Sequence, residues 1–427
     1  MGFRQYTQFI LQSEFLRNAG KLVSSNVLAQ AIGLLCYPIL TRIYTPSDFG
    51  LLNLFISIGS FLVLISTAEY HYAIALPKEE EKAVACFHAG GLILLVTCVL
   101  CIIASFFSES IATLFNTPSL ANIFPLMVLF VGFTGLWNLL NYWLIRNKEF
   151  NRISTFQLAL SGGNVVSKYA LGKAGFLHTG LVWGAVVGQI IAVTSCLIGK
   201  SRHLLTPLFH TSRQDTISMA RTYRKYPLYS LPRVLLNSIN NNLPILLLTP
   251  VFGTAQLGLF GMAVTLSFRP INMVVSSFYQ VFLQHNTDKV HHHKSIVSTL
   301  RRFTLYTALV TLPCFTLLYF ILPSLTAWLL GEEWRTTGEY IRWMLPWLAL
   351  TLLVSPMGHL TDLFMKQNWW LGFEIFSFAL RITALFWGMY QGSITTAIAG
   401  YCLAGVASYL VQIPCFIRII TLYERRL

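Results

Sequence analysis

Four cationic side chains lie inside long apolar segments of the sequence, where an ionised group needs a partner or water. They are Arg233, Arg269, Lys168 and Arg381. A charge at the centre of a bilayer costs about 2.5 to 3.5 kcal/mol even on the lenient insertion scale, so these residues should face a cavity or an opposite charge. Guanidinium and ammonium groups bind anionic oxygens through charge-assisted hydrogen bonds. The four cations therefore predict either a site for an anionic group or a set of structural ion pairs.

Three carboxylates, Glu69, Asp362 and Glu374, lie in the same apolar segments. They could carry a coupling proton or a sodium ion, or they could neutralise a neighbouring arginine. Glu374 and Arg381 are separated by about 10.5 Å along a helix, which is too far for a direct ion pair. Because cations outnumber carboxylates, we predict a cavity that attracts an anion, with the three acids as candidates for ion coupling.

Neutral polar residues follow one helical face in each of four apolar segments, the first two and the seventh and eighth. A spacing of three or four residues places side chains on the same face of a helix. These residues could simply hydrogen-bond neighbouring helices, but their recurrence in the same hairpin of both halves favours a shared polar cleft. The residues predicted to line it with the four cations are Asn26, Gln30, Tyr37, Asn237, Asn240, Asn241 and Asn272. The polar face of the second segment carries Asn53, Ser57, Ser60, Thr67 and His71.

The elements that must position these side chains are predicted to be membrane-spanning helices. The chain of 427 residues is 55% hydrophobic and 11% charged, against about 25% charged residues in a typical soluble domain. A helix needs about 20 apolar residues to cross the hydrocarbon core of a bilayer. Twelve segments satisfy this length: 22–43, 51–75, 85–107, 120–145, 154–175, 178–199, 228–249, 257–283, 303–328, 339–365, 370–389 and 395–418.

Two short stretches recur half a chain apart at nearly the same offset. The segment 255–260 repeats the pattern of 47–52, and 395–400 resembles 179–184. Weak internal symmetry in an apolar chain is typical of transporters built from two repeated bundles. We therefore predict an all-α integral membrane protein of about twelve helices in two six-helix lobes related by a pseudo-two-fold axis. The predicted divisions are an interfacial lead-in (1–21), an N-terminal lobe (22–199), a basic linker (200–227), a C-terminal lobe (228–418) and a tail (419–427).

The distribution of positive charge predicts the orientation in the membrane. Most of the 30 Lys and Arg residues fall in segments that share one side if the N-terminus is cytoplasmic, as the positive-inside rule expects. Both termini, the lead-in, the linker and the tail are then cytoplasmic. The net charge of +14 is interpreted as a topology signal, which argues against nucleic acid as a partner.

No pattern of catalytic residues or metal ligands stands out. The eight cysteines lie in or beside apolar segments, which argues against a disulfide framework. A phosphate-binding GxxxxGK[ST] loop is absent. His359 and Asp362 share a predicted helix, but no nucleophile or oxyanion partner is evident beside them. We predict no catalytic residue, no metal site and no cofactor, and we leave a proton or sodium gradient open as the source of energy.

The hinge after the first apolar segment carries a recognisable signature. Thr41–Gly50 resembles the R-x-x-x-P-x-x-[FY]-G motif of the polysaccharide-transporter branch of the multidrug/oligosaccharidyl-lipid/polysaccharide (MOP) exporter superfamily. Tyr70–Lys78 and Tyr226–Pro232 are similar to stretches of Wzx-type O-antigen flippases. The resemblance covers essentially the whole chain and implies a fold like that of the MATE transporters.

This resemblance also implies a function. It implies movement of an undecaprenyl-diphosphate-linked oligosaccharide repeat unit, of the O-antigen or capsule type, from the inner to the outer leaflet of a bacterial cytoplasmic (inner) membrane by alternating access. The four cations would then match the diphosphate, and the neutral polar residues would meet sugar hydroxyls. The implied partners are the lipid-linked glycan, membrane lipids, and a polysaccharide polymerase with its chain-length regulator.

Two other functions are open from the sequence. A membrane glycosyltransferase, acyltransferase or polymerase could act on the same lipid-linked glycan, although such enzymes commonly need a sizeable outer loop that this sequence does not predict. A MATE-like multidrug exporter should have an acidic, aromatic cavity, and the excess of buried Arg and Lys argues against that.

Overall fold

The computed structural model describes residues 14–198, 208, 212–292, 295–364 and 367–424. Within these ranges the chain is helical and no strand occurs. Short 3-10 turns connect several helices, and one π-helical turn, Tyr226–Ser230, precedes the longest helix. In chain order the helices are α1 (Glu14–Leu35), α2 (Tyr37–Leu40), α3 (Pro46–Thr67), α4 (Glu80–Ser105), α5 (Ser108–Leu114), α6 (Ser119–Ile123), α7 (Met127–Arg146), α8 (Phe150–Lys173), α9 (Gly180–Leu197), α10 (Arg213–Thr222), α11 (Leu231–His291), α12 (Val297–Leu330), α13 (Arg335–Val354), α14 (His359–Leu363), α15 (Gln367–Tyr390) and α16 (Ile394–Glu424).

The predicted all-α membrane fold with about twelve helices is confirmed. In the described ranges, nine helical segments are long and apolar enough to cross a membrane. One of them, Tyr226–Tyr279, has 54 residues and contains the seventh predicted helix (228–249) and most of the eighth (257–283). The first and fifth predicted helices are also present, as α1 with α2 and as α8. These two are less apolar because they carry more polar side chains.

Helix α11 joins two predicted helices into one long element. It runs for 61 residues and is interrupted at Gly253, whose φ is +80°. Glycine adopts this backbone conformation without the steric cost that a Cβ atom imposes. The break between the two predicted helices is therefore a kink at a glycine and not a loop.

The chain divides into two compact units, Met1–Leu246 and Leu247–Leu427. The boundary falls inside α11, downstream of the predicted linker 200–227, so the first part of α11 packs with the preceding helices. The lead-in before residue 14, most of the linker before residue 212 and the last three residues of the tail lie outside the described ranges. The predicted lobe boundaries therefore stay predictions.

The hinge Thr41–Gly50 fixes the start of α3. The side chain of Asp48 accepts hydrogen bonds from the Thr45 N–H and hydroxyl, each at 2.8 Å, and Pro46 occupies the first helical position. Asp48 is buried, and its second oxygen lies 3.3 Å from His178 Nδ1. Together these contacts form a capping box that satisfies the free N–H groups of the first turn. The most specific motif of the sequence thus sets where α3 begins.

Helix α8 is held between two neighbours in the first unit. A Cβ atom at Gly184 of α9 would lie 2.5 Å from Lys168 Cγ on α8, and one at Gly188 would lie 2.8 Å from Asn164 Cγ. Small residues at this spacing allow membrane helices to approach closely. On α1, the Ser25 hydroxyl is 3.1 Å from that of a serine on α8. The polar residues of α8 are therefore largely involved in helix packing.

In the second unit, α15 and α16 meet backbone to backbone. A Cβ atom at Gly388 of α15 would lie only 2.3 Å from the Cα of Ala397 on α16. No side chain fits at this contact. The contact therefore fixes the distance between the end of α15 and the beginning of α16.

Candidate functional site

In the first unit, an open groove runs between α3, α7 and the beginning of α11. Its volume is about 390 Å³. Polar groups come from all three helices and alternate with apolar side chains. The lining residues are Ile56, Ser60, Val63 and Leu64 from α3, Phe130 and Thr134 from α7, and Val234, Asn237, Ser238, Asn241 and Asn242 from α11. We call this the asparagine groove.

Hydrogen bonds involve all three amides of the groove. Asn242 Nδ2 donates to Ser60 Oγ at 3.3 Å and to the Ser238 carbonyl at 2.9 Å, which ties α11 to α3. Asn241 Nδ2 donates to Asn237 Oδ1 at 3.0 Å. Asn237 and Asn241 are both exposed, and each amide has more donors and acceptors than this one bond uses. Their remaining donors and acceptors are therefore available to a ligand that enters the groove.

The asparagine groove can bind a neutral, hydroxyl-rich group. Amides and hydroxyls both donate and accept hydrogen bonds, as sugar hydroxyls do. Ligand sites usually combine apolar walls with a few placed polar groups, and the groove has this composition. It contains no charged side chain, so its chemistry matches a sugar better than a phosphate.

Glu69 is buried just beyond α3, outside the apolar span that ends at Thr67. Ala68 and Glu69 have φ of +43° and +65°, a region that is costly for residues with a side chain and that clusters at functional sites. The Ser230 hydroxyl donates to Glu69 Oε2 at 3.3 Å. Burial raises the pKa of the Glu69 carboxyl, although the Ser230 hydrogen bond and the Arg233 charge counteract it. The Glu69 carboxyl is therefore protonated more readily at this site than it would be in water.

Aromatic side chains surround this carboxyl. Tyr142 from α7 and Tyr226 interact with its charge, and the Tyr72 ring lies 4.9 Å from Tyr142 and 6.1 Å from Tyr226 between ring centres. His71 follows nearby, and burial lowers its pKa to about 4. Its imidazole is therefore neutral at neutral pH, which makes it a poor proton relay and leaves Glu69 as the titratable group of this cluster.

The two predicted cations of the first unit do not line the asparagine groove. Arg233 is exposed and lies one helical turn before Asn237, next to the Glu69 site rather than inside the groove. Lys168 is half-buried on α8, where its stem packs against Gly184. Arg233 is therefore on the same helix as the groove asparagines, whereas Lys168 is on a helix that does not line the groove.

Arg381, in the second unit, is surrounded by aromatic rings. Its guanidinium carbon lies 4.8 Å from the centre of the Trp347 ring and 5.5 Å from that of Tyr401. Its Nε is buried and has no hydrogen-bond partner in the described part of the chain. Glu374 on the same helix is half-buried and makes no ion pair with it among the described residues. Cation–π contacts of this kind stabilise a desolvated charge.

A second cavity, of about 860 Å³, lies between α13, α15 and α16. It contains none of the predicted site residues, and we call it the apolar cavity. Arg269 and Asn272 are exposed on the part of α11 that belongs to the second unit. The residues that line the apolar cavity are Trp343, Phe376, Ala379, Leu380, Thr383, Ala384, Trp387, Thr395, Thr396, Ala399, Gly400, Leu403, Ala404 and Ala407.

The remaining predicted residues are not part of either cavity. Asn26 and Gln30 are exposed on α1, and Tyr37 is half-buried, with its ring centre 6.2 Å from that of a phenylalanine on α3. Asn240 is buried, and its Oδ1 has no partner among the described residues. The side chain of Asp362 lies outside the described part of the structure. In the ranges that the structure describes, no group of three His, Cys, Asp or Glu residues could hold a metal.

Sequence reasoning missed Thr134, Ser238 and Asn242 as groove residues. A helical stripe selects side chains along one narrow face, whereas a groove between three helices exposes a wider arc of α11. One signal was available, because residues 240–242 are three consecutive asparagines inside an apolar segment. Such a run presents amides on more than one face of the helix.

The chain matches known proteins over most of its length. A family described as "Polysaccharide biosynthesis protein" (Polysacc_synt_3) matches residues 39–338. The succinoglycan biosynthesis transport protein ExoT of Rhizobium meliloti (strain 1021) is 22% identical over 347 residues, which cover 81% of this chain. The match spans 66% of the length of ExoT, slightly under two thirds.

Solved structures share the fold at low sequence identity. The lipid II flippase MurJ, in an inward closed conformation, superposes with a TM-score of 0.68 at 14% identity, over 94% of this chain and 89% of MurJ. An inward-facing multidrug resistance MATE family transporter of the MOP superfamily gives 0.63 at 12% identity, over 94% of this chain and 96% of the transporter. Both similarities concern the fold alone.

Proposed function

Because the chain belongs to this family of polysaccharide biosynthesis proteins, we propose that it moves a lipid-linked glycan from one leaflet of a membrane to the other. In full, the proposal is a flippase for undecaprenyl-diphosphate-linked repeat units of the O-antigen or capsule type, working from the inner to the outer leaflet of a bacterial cytoplasmic membrane. The names of two similar proteins, a succinoglycan transport protein and a lipid II flippase, support this substrate class.

The asparagine groove is the observation that carries the proposal. An amide pair, Asn237 and Asn241, is exposed in a groove within membrane-spanning helices. Polar groups that face only lipid would be unfavourable there. A passing sugar supplies hydroxyl partners for these amides, while its prenyl tail remains in the lipid.

Cations supply the contacts for the diphosphate in this proposal. Arg233 and Arg269 are exposed, so their guanidinium groups are accessible to an anion, to which arginine binds strongly. Lys168 and Arg381 are the other candidates from the sequence. Arg381, which contacts two aromatic rings, is less accessible than the exposed Arg233 and Arg269.

Coupling to a proton gradient is proposed at Glu69. This carboxyl is buried, accepts a hydrogen bond from Ser230 in the π-helical turn before α11 and lies close to Arg233. Binding or loss of a proton changes that contact, as alternating access requires of a coupling site. Glu374 and Asp362 are the other candidates for the coupling ion, and sodium is the alternative to the proton.

The surroundings of the protein follow from the same proposal. The distribution of Lys and Arg supports a cytoplasmic location for both termini. The expected partners are the lipid-linked glycan and membrane lipids, with a polysaccharide polymerase and its chain-length regulator downstream.

A multidrug exporter is the second candidate because a MATE transporter has the same fold. Drug exporters need an acidic or aromatic cavity for organic cations. The asparagine groove has neutral amides and no carboxylate, which favours the glycan. An enzyme acting on the same lipid-linked glycan would need a nucleophile or a catalytic acid facing such a groove, and its lining supplies neither.

The proposal is tested by the location of lipid-linked repeat units in cells that lack the gene. We expect these units to accumulate on the inner leaflet, and wild type to restore export. Arg233→Ala and Arg269→Ala should fail to restore it, while the matched control Arg335→Ala, at an exposed arginine paired with Glu332, should succeed. Unpolymerised units on the outer leaflet would instead indicate an enzyme that acts after transport.

A further inference from the structure

A short helix with an exposed basic edge lies immediately before α11. Ser212 caps the N-terminus of α10, and its side chain accepts a hydrogen bond from the Asp215 N–H at 3.1 Å. The chain then passes through the π-helical turn Tyr226–Ser230 into α11. Because α11 is a membrane-spanning helix, α10 lies within a few residues of the membrane surface.

One side of α10 is fixed to the first unit. Thr216 is buried, and the Ala220 carbonyl accepts a hydrogen bond from the Tyr70 hydroxyl at 2.9 Å. Met219 and Tyr223 pack against the buried cluster at the start of α4. These contacts hold α10 in one orientation, so the residues on its free side form a defined surface.

The free side of α10 carries a line of basic and apolar residues. Arg213, Ile217 and Arg221 are spaced four residues apart, which places them along one edge of the helix. All three are exposed, and Ile217 is 46% exposed. Arg224 and Lys225, also exposed, continue the positive charge towards α11. We call these five residues the basic edge.

The acid of α10 does not neutralise the basic edge. Asp215 lies on the opposite flank of the helix and interacts with Lys82 at the start of α4. Lys82 also forms an ion pair with Glu79 at 2.9 Å. The Asp215 carboxylate is therefore directed towards Lys82 of α4 and away from the basic edge.

We propose that the basic edge is a binding surface for the headgroups of anionic phospholipids. Helices that lie in the membrane interface combine basic residues with apolar side chains that reach the acyl boundary, and Ile217 between two arginines has this arrangement. Clusters of Lys and Arg beside a membrane-spanning helix attract anionic leaflets. This lipid binding is separate from glycan transport, because a phospholipid headgroup can bind in the absence of a glycan.

Headgroup binding at α10 would restrain the start of α11. Tyr70, which holds α10, adjoins Glu69 in the chain, and Ser230, at the entry to α11, donates its hydrogen bond to Glu69. A lipid that immobilises α10 therefore restrains both Glu69 and Ser230, the two partners of this hydrogen bond. The anionic leaflet acts as a structural ligand of the first unit.

Hydrogen exchange in lipid discs tests this surface directly. The purified full-length protein is placed in discs of phosphatidylcholine alone or of phosphatidylcholine mixed with phosphatidylglycerol. We expect amide exchange in residues 212–225 to slow about fivefold or more in the anionic discs, because each basic residue near an anionic surface contributes to binding. Arg213→Gln with Arg221→Gln should abolish the slowing, while the control pair Arg301→Gln with Arg302→Gln, at exposed arginines elsewhere, should retain it.

Several outcomes would overturn the proposal. Equal exchange of the wild type in both discs would do so without any variant, and so would a control pair that loses the slowing as completely as the test pair. Slowing by inorganic phosphate in phosphatidylcholine discs would show a site for soluble anions instead. Melting of each variant in detergent checks that it is folded, and none of these readouts depends on glycan transport.

Discussion

The two units differ in the polar groups that line their cavities. In the first, Asn237 and Asn241 are exposed in a groove whose amides keep free hydrogen-bonding groups. In the second, the larger cavity is lined almost entirely by apolar side chains, and Arg381 is enclosed by Trp347 and Tyr401. A polar residue in a membrane helix therefore indicates a binding site when helix packing leaves it open, and not when aromatic side chains already surround it.

The sharpest test of the second unit concerns its rigid contact at Gly388. Gly388→Ala places a Cβ atom 2.3 Å from the Ala397 Cα, and we expect the free energy of unfolding to fall by about 3 kcal/mol, the upper end for overpacking. Gly372→Ala, on the same helix with open space around it, should leave stability unchanged or slightly raised. Thermal unfolding in detergent measures both, and equal melting of the two variants would show that α15 and α16 are not in contact there.

The asparagine groove is tested by removing its amides. Asn237→Leu with Asn241→Leu should reduce export of lipid-linked repeat units at least tenfold, which corresponds to about 1.4 kcal/mol of lost binding to the sugar. Thr383→Val in the apolar cavity is the matched control, because its hydroxyl already bonds within its own helix. Export in cells that lack the chromosomal gene measures both. Loss of export in Thr383→Val alone would show that the apolar cavity, and not the asparagine groove, binds the glycan.

The link between α3 and α11 should have a smaller effect. Ser60→Ala removes the acceptor of Asn242 Nδ2, and hydrogen bonds between membrane helices contribute about 0.6 kcal/mol on average. We expect a slight fall in the detergent melting temperature with normal export. Ser276→Ala, at an exposed serine that bonds within its own helix, provides the comparison, and a loss of export by Ser60→Ala would mean that Ser60 binds the substrate itself.

The pH dependence of stability tests Glu69. Burial raises the pKa of this carboxyl above its usual 4.5, so the folded state holds the proton more tightly than the unfolded state does. The stability that this gives is complete below the ordinary pKa and is lost as the pH rises through the raised value. The melting temperature of the wild type should therefore fall over that range more than that of Glu69→Gln. Parallel curves would mean that Glu69 keeps an ordinary pKa.

The class of protein could be predicted from the sequence, whereas the arrangement of the candidate site could not. Length and hydropathy predicted the membrane helices, and the hinge at Thr41–Gly50 predicted the polysaccharide-transporter branch, which the family match confirms. The roles of the individual site residues stay predictions. Helical spacing put Asn237, Asn240 and Asn241 on one face, but it does not report which face the neighbouring helices cover, and Asn240 is buried outside the groove. For that reason it gave no sign of the rings around Arg381 or of the contacts that engage α8.

Binding of the headgroup to the purified protein tests the central claim most directly. A short-chain polyprenyl-diphosphate oligosaccharide is titrated into wild type, Asn241→Leu and Thr383→Val in detergent, and the affinity is measured by calorimetry. We predict that Asn241→Leu weakens binding about tenfold and that Thr383→Val binds as the wild type does. Wild-type affinity in Asn241→Leu would show that the glycan does not occupy the asparagine groove.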